Sequence, residues 1–516
     1  MIPASITPDL LATLISQICG TAEQTYPLTE VYTGEVIAHL PQSTPADIEQ
    51  AFASARQAQK EWAQWPLKRR LAVFERHHKK LLDNALTTTD LIQAESGKAR
   101  RMAFDETCDV PMVVSHYLRR APKVLAHAKR GGPVPVLSYS REVRVPKGVV
   151  GIIAPWNFPF ATGISDAIPA LMAGNGVVVK PDNKTALSPL YGVHLLYEAG
   201  LPAGLFQVVC GEGPDVGPTL IDNADYVMFT GSTETGRVVG ERAARNLIGC
   251  SLELGGKNPM IVLPDANLAE TVKGALFGCY GNTGQICMHI ERIYVHESIY
   301  DQFKDAFVAA TSSLALGAAY DFEPEVGSLV SPEHLARVAA HVDDAVAKGA
   351  TVLVGGKPRP DLGPAFFEPT VLEGVTADML AGSCETFGPV VALHQYSSVD
   401  EAIALANDSD YGLNASVWST DIDAAEQVAL RLESGNVNIN DSLATAYASK
   451  GTPSGGMKKS GVGARHGDQG ILKYTDAQNI GVLKKQVMGP QPGQDYAAYA
   501  KQTLMSLGLM RRLRVR

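Results

Sequence analysis

The sequence predicts an α/β protein built on two Rossmann-like, parallel-sheet domains, and three observations carry that prediction. The chain has 516 residues and 45% hydrophobic content, more than one ordinary domain accommodates, so two or three compact units are expected. Short, β-branched apolar runs occur at residues 149–153, 176–179, 206–209 and 226–229, with helical segments between them. Their brevity and their spacing of about 20 to 30 residues read as strands buried on both faces in βαβ units. A second series, at 260–263, 293–295, 351–354, 390–393 and 436–440, repeats the grammar.

Element by element, the first clear helix starts after Thr44, where Pro45 suits a first-turn position and Asp47 can complete a capping box. Ile48, Phe52, Ala55 and Trp62 then fall on one face. Ser188-Pro189 is expected to cap the helix between the second and third runs, and Ser232 the helix after Phe229. In open sheets of this kind ligands bind at the carboxyl ends of the strands. Asn157, Lys180 and Gly231 each follow such a run, so three residues distant in sequence are expected on one edge.

Composition narrows the functional classes. A net charge of −9 and a pI near 5.8 argue against a nucleic-acid partner, which needs a basic stripe to neutralise phosphates. The seven cysteines are scattered, without a CxxC pair, and no histidine cluster suggests a metal. Reduced thiols in a cytoplasmic protein are expected. The N-terminus lacks the basic and apolar regions of a secretory signal, and no run of about 18 apolar residues predicts a spanning helix.

The segment Gly281-Asn282-Thr283-Gly284-Gln285-Ile286-Cys287 presents one cysteine on a glycine-punctuated loop. Taken alone, Cys287 reads as a small buried hydrophobe. Its surroundings favour a nucleophile: Leu252-Glu253-Leu254-Gly255-Gly256-Lys257 lies upstream and Glu385-Thr386-Phe387-Gly388-Pro389 downstream. A thiol near its reference pKa of about 8.5 is mostly protonated at neutral pH and needs a base or an electropositive setting. Glu253 is the candidate base.

With Ala154-Pro155-Trp156-Asn157-Phe158-Pro159 and Phe229-Thr230-Gly231-Ser232-Thr233-Glu234-Thr235-Gly236, these blocks resemble the aldehyde dehydrogenase superfamily, in order, from about Val31 to about Thr475. Within it the chain is most similar to bacterial NADP-dependent succinate-semialdehyde dehydrogenases. The resemblance implies an aldehyde dehydrogenase-like fold with a β-arm that joins subunits into a homodimer or tetramer. It implies catalytic roles for Cys287 as nucleophile, Glu253 as base and Asn157 as oxyanion donor. It implies a cofactor site at Ala154, Pro155, Trp156, Lys180, Asp182, Asn183, Gly231, Ser232, Gly236, Leu254, Glu385 and Phe387. The turn itself spaces its glycines as Gly231-x4-Gly236, which is not the usual dinucleotide fingerprint.

NADP is the expected cofactor, with NAD as the other possibility. Many NAD-preferring members carry a glutamate where this chain has Asn183. An amide does not repel a 2′-phosphate, and Lys184 adds a positive charge, whereas Asp182 opposes it. The small-molecule substrate is expected to be an aldehyde, most readily succinate semialdehyde, in a pocket shaped by Phe158, Phe160, Met288, His289 and Ser454. The polar run Ser442, Thr445, Ser449, Lys450 and Thr452 would have to hold its carboxylate. A broad-specificity or aromatic aldehyde dehydrogenase is the alternative.

The expected division places 1–124 and 147–252 in a cofactor-binding domain and 253–450 in a catalytic domain. Residues 125–146 and 470–495 form the oligomerisation element, and 496–516 a C-terminal extension. Tyr139, Val143 and Val145 alternate with polar residues as an exposed arm requires. The extension ends in four arginines after an apolar stretch, with Gly508 expected to interrupt its helix.

Overall fold

Two parallel sheets organise the chain in this computed structural model, which describes residues 2–134, 136–485 and 488–514. The first has six strands in the order Gly461–Val462, Gly249–Glu253, Tyr226–Thr230, Val149–Ile153, Gly176–Lys180 and Phe206–Val208. All neighbours are parallel except the first pair. Gly176–Lys180 is buried throughout and Val149–Ile153 nearly so, which is why both read as apolar runs without polar alternation, Lys180 closing the former at the sheet edge. The register aligns Ile153 with Lys180 and Phe229, and Thr230 with Glu253. The carboxyl ends of four strands therefore meet on one edge.

The helix Pro45–Gln64 covers this sheet. Thr44 and Asp47 form the capping box, satisfying two otherwise orphaned amide groups. Ile48, Phe52, Ala55 and Trp62 are buried on one face, Ile48 and Phe52 each worth roughly 1.5–3 kcal/mol, and the Trp62 indole donates to the Leu171 carbonyl at 2.8 Å. Thr44→Ala would remove about 1 kcal/mol of that helix's stability. Ser232 accepts from the Thr235 amide as the cap of Thr233–Arg245. Ser188 does not cap: the helix Leu187–Glu198 starts one residue earlier. Its first amides, Leu187 and Ser188, donate to the buried Glu95 carboxylate at 2.7 and 3.0 Å, so a residue 92 positions away does the capping.

The second sheet has seven strands, in the order Thr351–Val354, Thr370–Glu373, Val390–Tyr396, Ile290–His296, Asn258–Val262, Asn414–Trp418 and Asn436–Ile439. Thr351–Val354 departs from the expected parallel series, since it pairs antiparallel on the edge. The strand Asn414–Trp418 had no apolar signature because its buried polar residues are hydrogen-bonded. Asn414 donates to the Met288 and Ser442 carbonyls, and Ser416 to Asp441.

A separate antiparallel sheet joins Thr475–Leu483, Ser138–Pro146 and Ala128–Gly131. Much of Thr475–Leu483 is exposed, including Ile480. After the second sheet the chain returns to the first, pairing Gly461 with Glu253. The C-terminal helix runs unbroken through Tyr496–Arg512. Gly508 does not interrupt it; a single helical glycine costs only about 1 kcal/mol, and good helix formers flank it. Pro135, Gln486 and Val487, within the expected oligomerisation element, and Val515 and Arg516, at the end of the expected extension, lie outside the described residues. Among the described residues no helix is long and apolar enough to cross a membrane.

Candidate active site

A cavity of about 560 Å³ opens where the two sheets face each other, and Cys287, Glu253 and Asn157 all line it. Asn157 follows the strand Val149–Ile153, Glu253 ends Gly249–Glu253, and Cys287 lies on the loop before Ile290–His296. The structure thus brings together three residues that are remote in sequence.

The cysteine loop is held in an unusual backbone conformation. Asn282 and Thr283 have φ of 48° and 56°, and Gly284 follows at 71°. A Cβ on Gly284 would sit 2.0 Å from the Gly388 carbonyl oxygen, so no other residue fits there. Side-chain amides stabilise the strained turn: Asn282 donates to the Asn157 and Gln285 carbonyls, and Gln285 donates to Asn282 and Ser328 while accepting from Val330. Asn157 donates one amide hydrogen to the Gln285 carbonyl at 2.9 Å. An amide nitrogen carries two hydrogens, so one remains for a ligand.

Behind Asn157 lies a fully buried ion pair. Lys98 bonds Glu106 and donates to the Asn157 carbonyl at 2.7 Å. Glu106 also accepts from the Phe160 and Ala161 amides, so the turn that carries Asn157 is clamped at both ends.

Burial dominates the electrostatics. It pushes the Cys287 thiol up to about 12; Arg465 pulls it back, while Glu385 and Glu253 raise it further. Burial also raises Glu253 to about 7, against the opposing charges of Arg465 and Lys473. Glu253 lines the cavity, and its Oε1 is buried without a hydrogen-bond partner. Glu385 is raised to about 7 by burial and by the nearby charge of Glu291, although it accepts from the Gly256 amide at 2.9 Å.

On one side of the cavity lie Pro155, Trp156, Gly231, Ser232, Leu254, Glu385 and Phe387. Phe387 adopts φ of 57° and meets the Trp156 ring edge-on at 5.5 Å. Its turn is fixed by Glu291, which accepts from the Thr386 and Phe387 amides and pairs with Lys257. Lys180 is 7% exposed and makes no ion pair or side-chain hydrogen bond among the described residues. An unpartnered ammonium at a strand end, a helix N-terminus and an unpaired Glu385 oxygen fit a phosphoribosyl group with hydroxyls to bind.

Four residues expected around a cofactor have other work. Ala154 is buried, donating its amide to the Lys180 carbonyl. Asp182 caps the short turn Asn183–Thr185 by accepting from Lys184. Asn183 spends its amide inside the protein, donating to Gln42 and Glu212 and accepting from Gly211, so it presents no open amide. Gly236 is a packing glycine, since a Cβ there would lie 2.5 Å from Leu254.

The rest of the lining is mainly apolar, with Phe158, Met102, Met288, Ile286, Leu443 and Tyr447, and it also includes Asp105, Glu106, Asp109 and Arg465. Three expected pocket residues are elsewhere. Phe160 is fully buried in the core. His289 is fully buried behind the loop, its ring bonded to the Ile286 carbonyl and 3.1 Å from Glu291. Ser454 donates to Asn436 at 2.9 Å and bridges Arg465 through the backbone. Lys450 pairs with Asp109 at 2.6 Å and is no free cation.

Sequence reasoning missed Lys98, Glu106, Asp166 and Arg465. The available signal was a charged residue in an otherwise apolar segment, Asp166 beside Ala167–Ala173; Glu106 lies in the charge-rich helix Arg100–Val124, where nothing marks it out.

The chain matches the aldehyde dehydrogenase family over residues 19–480. It is 48% identical to a putative succinate-semialdehyde dehydrogenase [NADP(+)] of Mycolicibacterium smegmatis, over 92% of this chain and 91% of that protein. It is 38% identical to a 4,4'-diapolycopene aldehyde oxidase of a Methylomonas species, over 86% and 83%. It superposes on betaine aldehyde dehydrogenase of Staphylococcus aureus, solved with NAD+, with TM-score 0.88 and 34% identity over 93% and 97%. That likeness extends over nearly the whole chain, around a cysteine loop, a buried glutamate and an asparagine turn facing one cleft, and the protein belongs to the aldehyde dehydrogenase family.

Proposed function

We propose that this chain oxidises an aldehyde to a carboxylate with a pyridine nucleotide as oxidant, through a cysteine thioester that is hydrolysed. The observation that carries the reading is the meeting of Cys287, Glu253 and Asn157 on one cavity. The Cys287 thiol releases its proton to solvent, the sulfur forms a bond to the carbonyl carbon, and the π electrons move onto oxygen. Asn157's free amide hydrogen and the Cys287 backbone N–H stabilise that oxyanion, each donor worth about 3 kcal/mol in the barrier. Conversion of the thiohemiacetal to a thioester needs a hydride acceptor, which is the chemistry an oxidised pyridine nucleotide supplies when bound. Glu253 then takes a proton from water, the new C–O bond forms, the C–S bond breaks, and the acid leaves.

Pro155, Trp156, Lys180, Gly231, Ser232, Leu254, Glu385 and Phe387 would hold the nucleotide. We assign it as NADP or either nucleotide. The relatives' names favour NADP, and Lys184 adds charge, whereas Glu212 beside Asn183 opposes a 2′-phosphate. A tenfold higher kcat/KM with NAD would refute the NADP assignment. The antiparallel arm is proposed to join subunits into a homodimer or tetramer, which light scattering would read.

For the substrate, the apolar wall favours an aldehyde with an uncharged aliphatic or aromatic chain. Succinate semialdehyde is the second reading, favoured by the names of relatives at 45–48% identity. Its carboxylate would need a cation; Arg465 lines the cavity but is clamped by Asp166, and Lys98 and Lys450 are already paired with carboxylates. Following absorbance at 340 nm with succinate semialdehyde, benzaldehyde and a long-chain aldehyde separates them: the apolar reading fails if only the first is turned over. Glu253→Gln should keep the first-turnover burst of reduced cofactor and slow steady-state turnover; unchanged turnover would remove Glu253 as base.

A further inference from the structure

We infer that Arg465, clamped by Asp166, is the positioning residue for Glu253: an anchored cation set beside the base by the returning C-terminal segment. The inference rests on Glu253 being the base that hydrolyses the thioester.

Geometry carries it. Arg465 Nη1 lies 3.9 Å from Glu253 Oε2, with both side chains almost fully buried. The rest of the guanidinium is engaged. Nε donates to both Asp166 oxygens at 3.1 and 3.2 Å, and Nη2 donates to Asp166 Oδ2 at 3.1 Å and to the Thr230 hydroxyl. A planar fork held this way cannot swing, which a lysine in its place would not achieve. The backbone is fixed as well. Arg465 and Ser454 exchange amide and carbonyl bonds at 2.7 and 2.9 Å, and Gly461, four residues earlier, pairs with Glu253 itself.

The pair opposes itself across the base. Arg465 favours the charged form of Glu253, and Asp166 disfavours it. The other titratable groups facing Glu253 are Lys473, whose burial lowers it to about 8, the Cys287 thiol, and Tyr226 on the adjoining strand. Tyr447 faces Arg465 from the other side. Arg465 also lines the cavity, so anchoring a substrate carboxylate is the competing role.

The test is the acid limb of the pH profile for steady-state turnover with benzaldehyde and saturating cofactor, in the full-length protein. Arg465→Met removes the cation and strands Asp166, and should move the limb up by about one pH unit. That is roughly fivefold slower turnover at pH 7, regained above pH 9. Asp166→Asn should move the limb down by a similar amount, and the double variant should fall between. Opposite movements are a signature that a merely structural role does not give. Limbs that stay put, or that move the same way, in variants that melt like the parent overturn the inference. So does Arg465→Met raising KM for succinate semialdehyde alone with its limb unmoved. If Arg465→Met does not fold, Asp166→Asn and Arg465→Lys decide: an unmoved limb in the first, or a limb moved down in the second, is refuting. Glu253→Gln should abolish the limb altogether, and its persistence there would mark a failure of the base assignment and not of Arg465.

Discussion

Lys98→Met tests the internal scaffold of the site. Lys98 and Glu106 have no exposed side-chain surface, and burial alone pushes the carboxyl up and the ammonium down, so each depends on the other for its charge. Removing the ammonium leaves a buried carboxylate with only the Phe160 and Ala161 amides, and frees the Asn157 carbonyl. Breaking such a pair from one side costs about 3–5 kcal/mol. For a cooperative unit the size of the first sheet and its helices, that is a fall in melting temperature of roughly 10 °C. Lys98→Met combined with Glu106→Gln keeps an acceptor for both amides and removes the stranded charge, so it should recover at least half of the loss. Thermal melts of wild type, both single variants and the double variant give the coupling directly. A single variant melting within a degree of wild type, or losses that simply add, would refute the argument.

Three further outcomes follow from the geometry. Asn157→Ala should lower kcat by about 10²–10³, with cofactor affinity unchanged in a fluorescence titration. Gly284→Ala drives a Cβ into the Gly388 carbonyl from a left-handed backbone, and should lower both the melting temperature and kcat because the Glu385 turn is displaced with it. Turnover should rise with pH through about 7, since Glu253 works as a carboxylate and burial raises it to that value; a flat profile from pH 5.5 to 8.5 would contradict it.

What was legible in the sequence was whatever left a local pattern. Strands buried on both faces, such as Gly176–Lys180, read as apolar runs without polar alternation, and the Thr44 capping box is a four-residue signature. Cys287, Glu253 and Asn157 stand in glycine- and proline-marked segments whose composition reflects a backbone that approaches a ligand. What was not legible depends on partners far along the chain. Glu95 caps a helix 92 residues away, and Asp166 meets Arg465 across 299 residues. Asn183 has the right residue type for its expected role, but Gln42 and Glu212 take its amide. His289 sits two positions past the nucleophile, yet its ring turns back to the Ile286 carbonyl, because the loop reverses before the strand begins.

The same burial that prepares the base also silences the nucleophile. With Cys287 at about 12 and Glu253 at about 7, moving the thiol proton to the carboxylate is uphill by on the order of 7 kcal/mol. Glu253 and Glu385 both oppose a second negative charge in the cavity, and the Arg465 cation lowers the thiol. A thiol in this setting reacts slowly with electrophiles. It needs a positive charge brought close, which an oxidised nicotinamide ring would supply when bound. Cys287 should therefore alkylate with iodoacetamide much more slowly than a free thiol at pH 7.5, and at least tenfold faster once NAD or NADP is added, with Cys287→Ala as the control for the other thiols. Equal rates with and without nucleotide would mean that the thiolate is formed by the protein alone, and that burial does not govern its acidity.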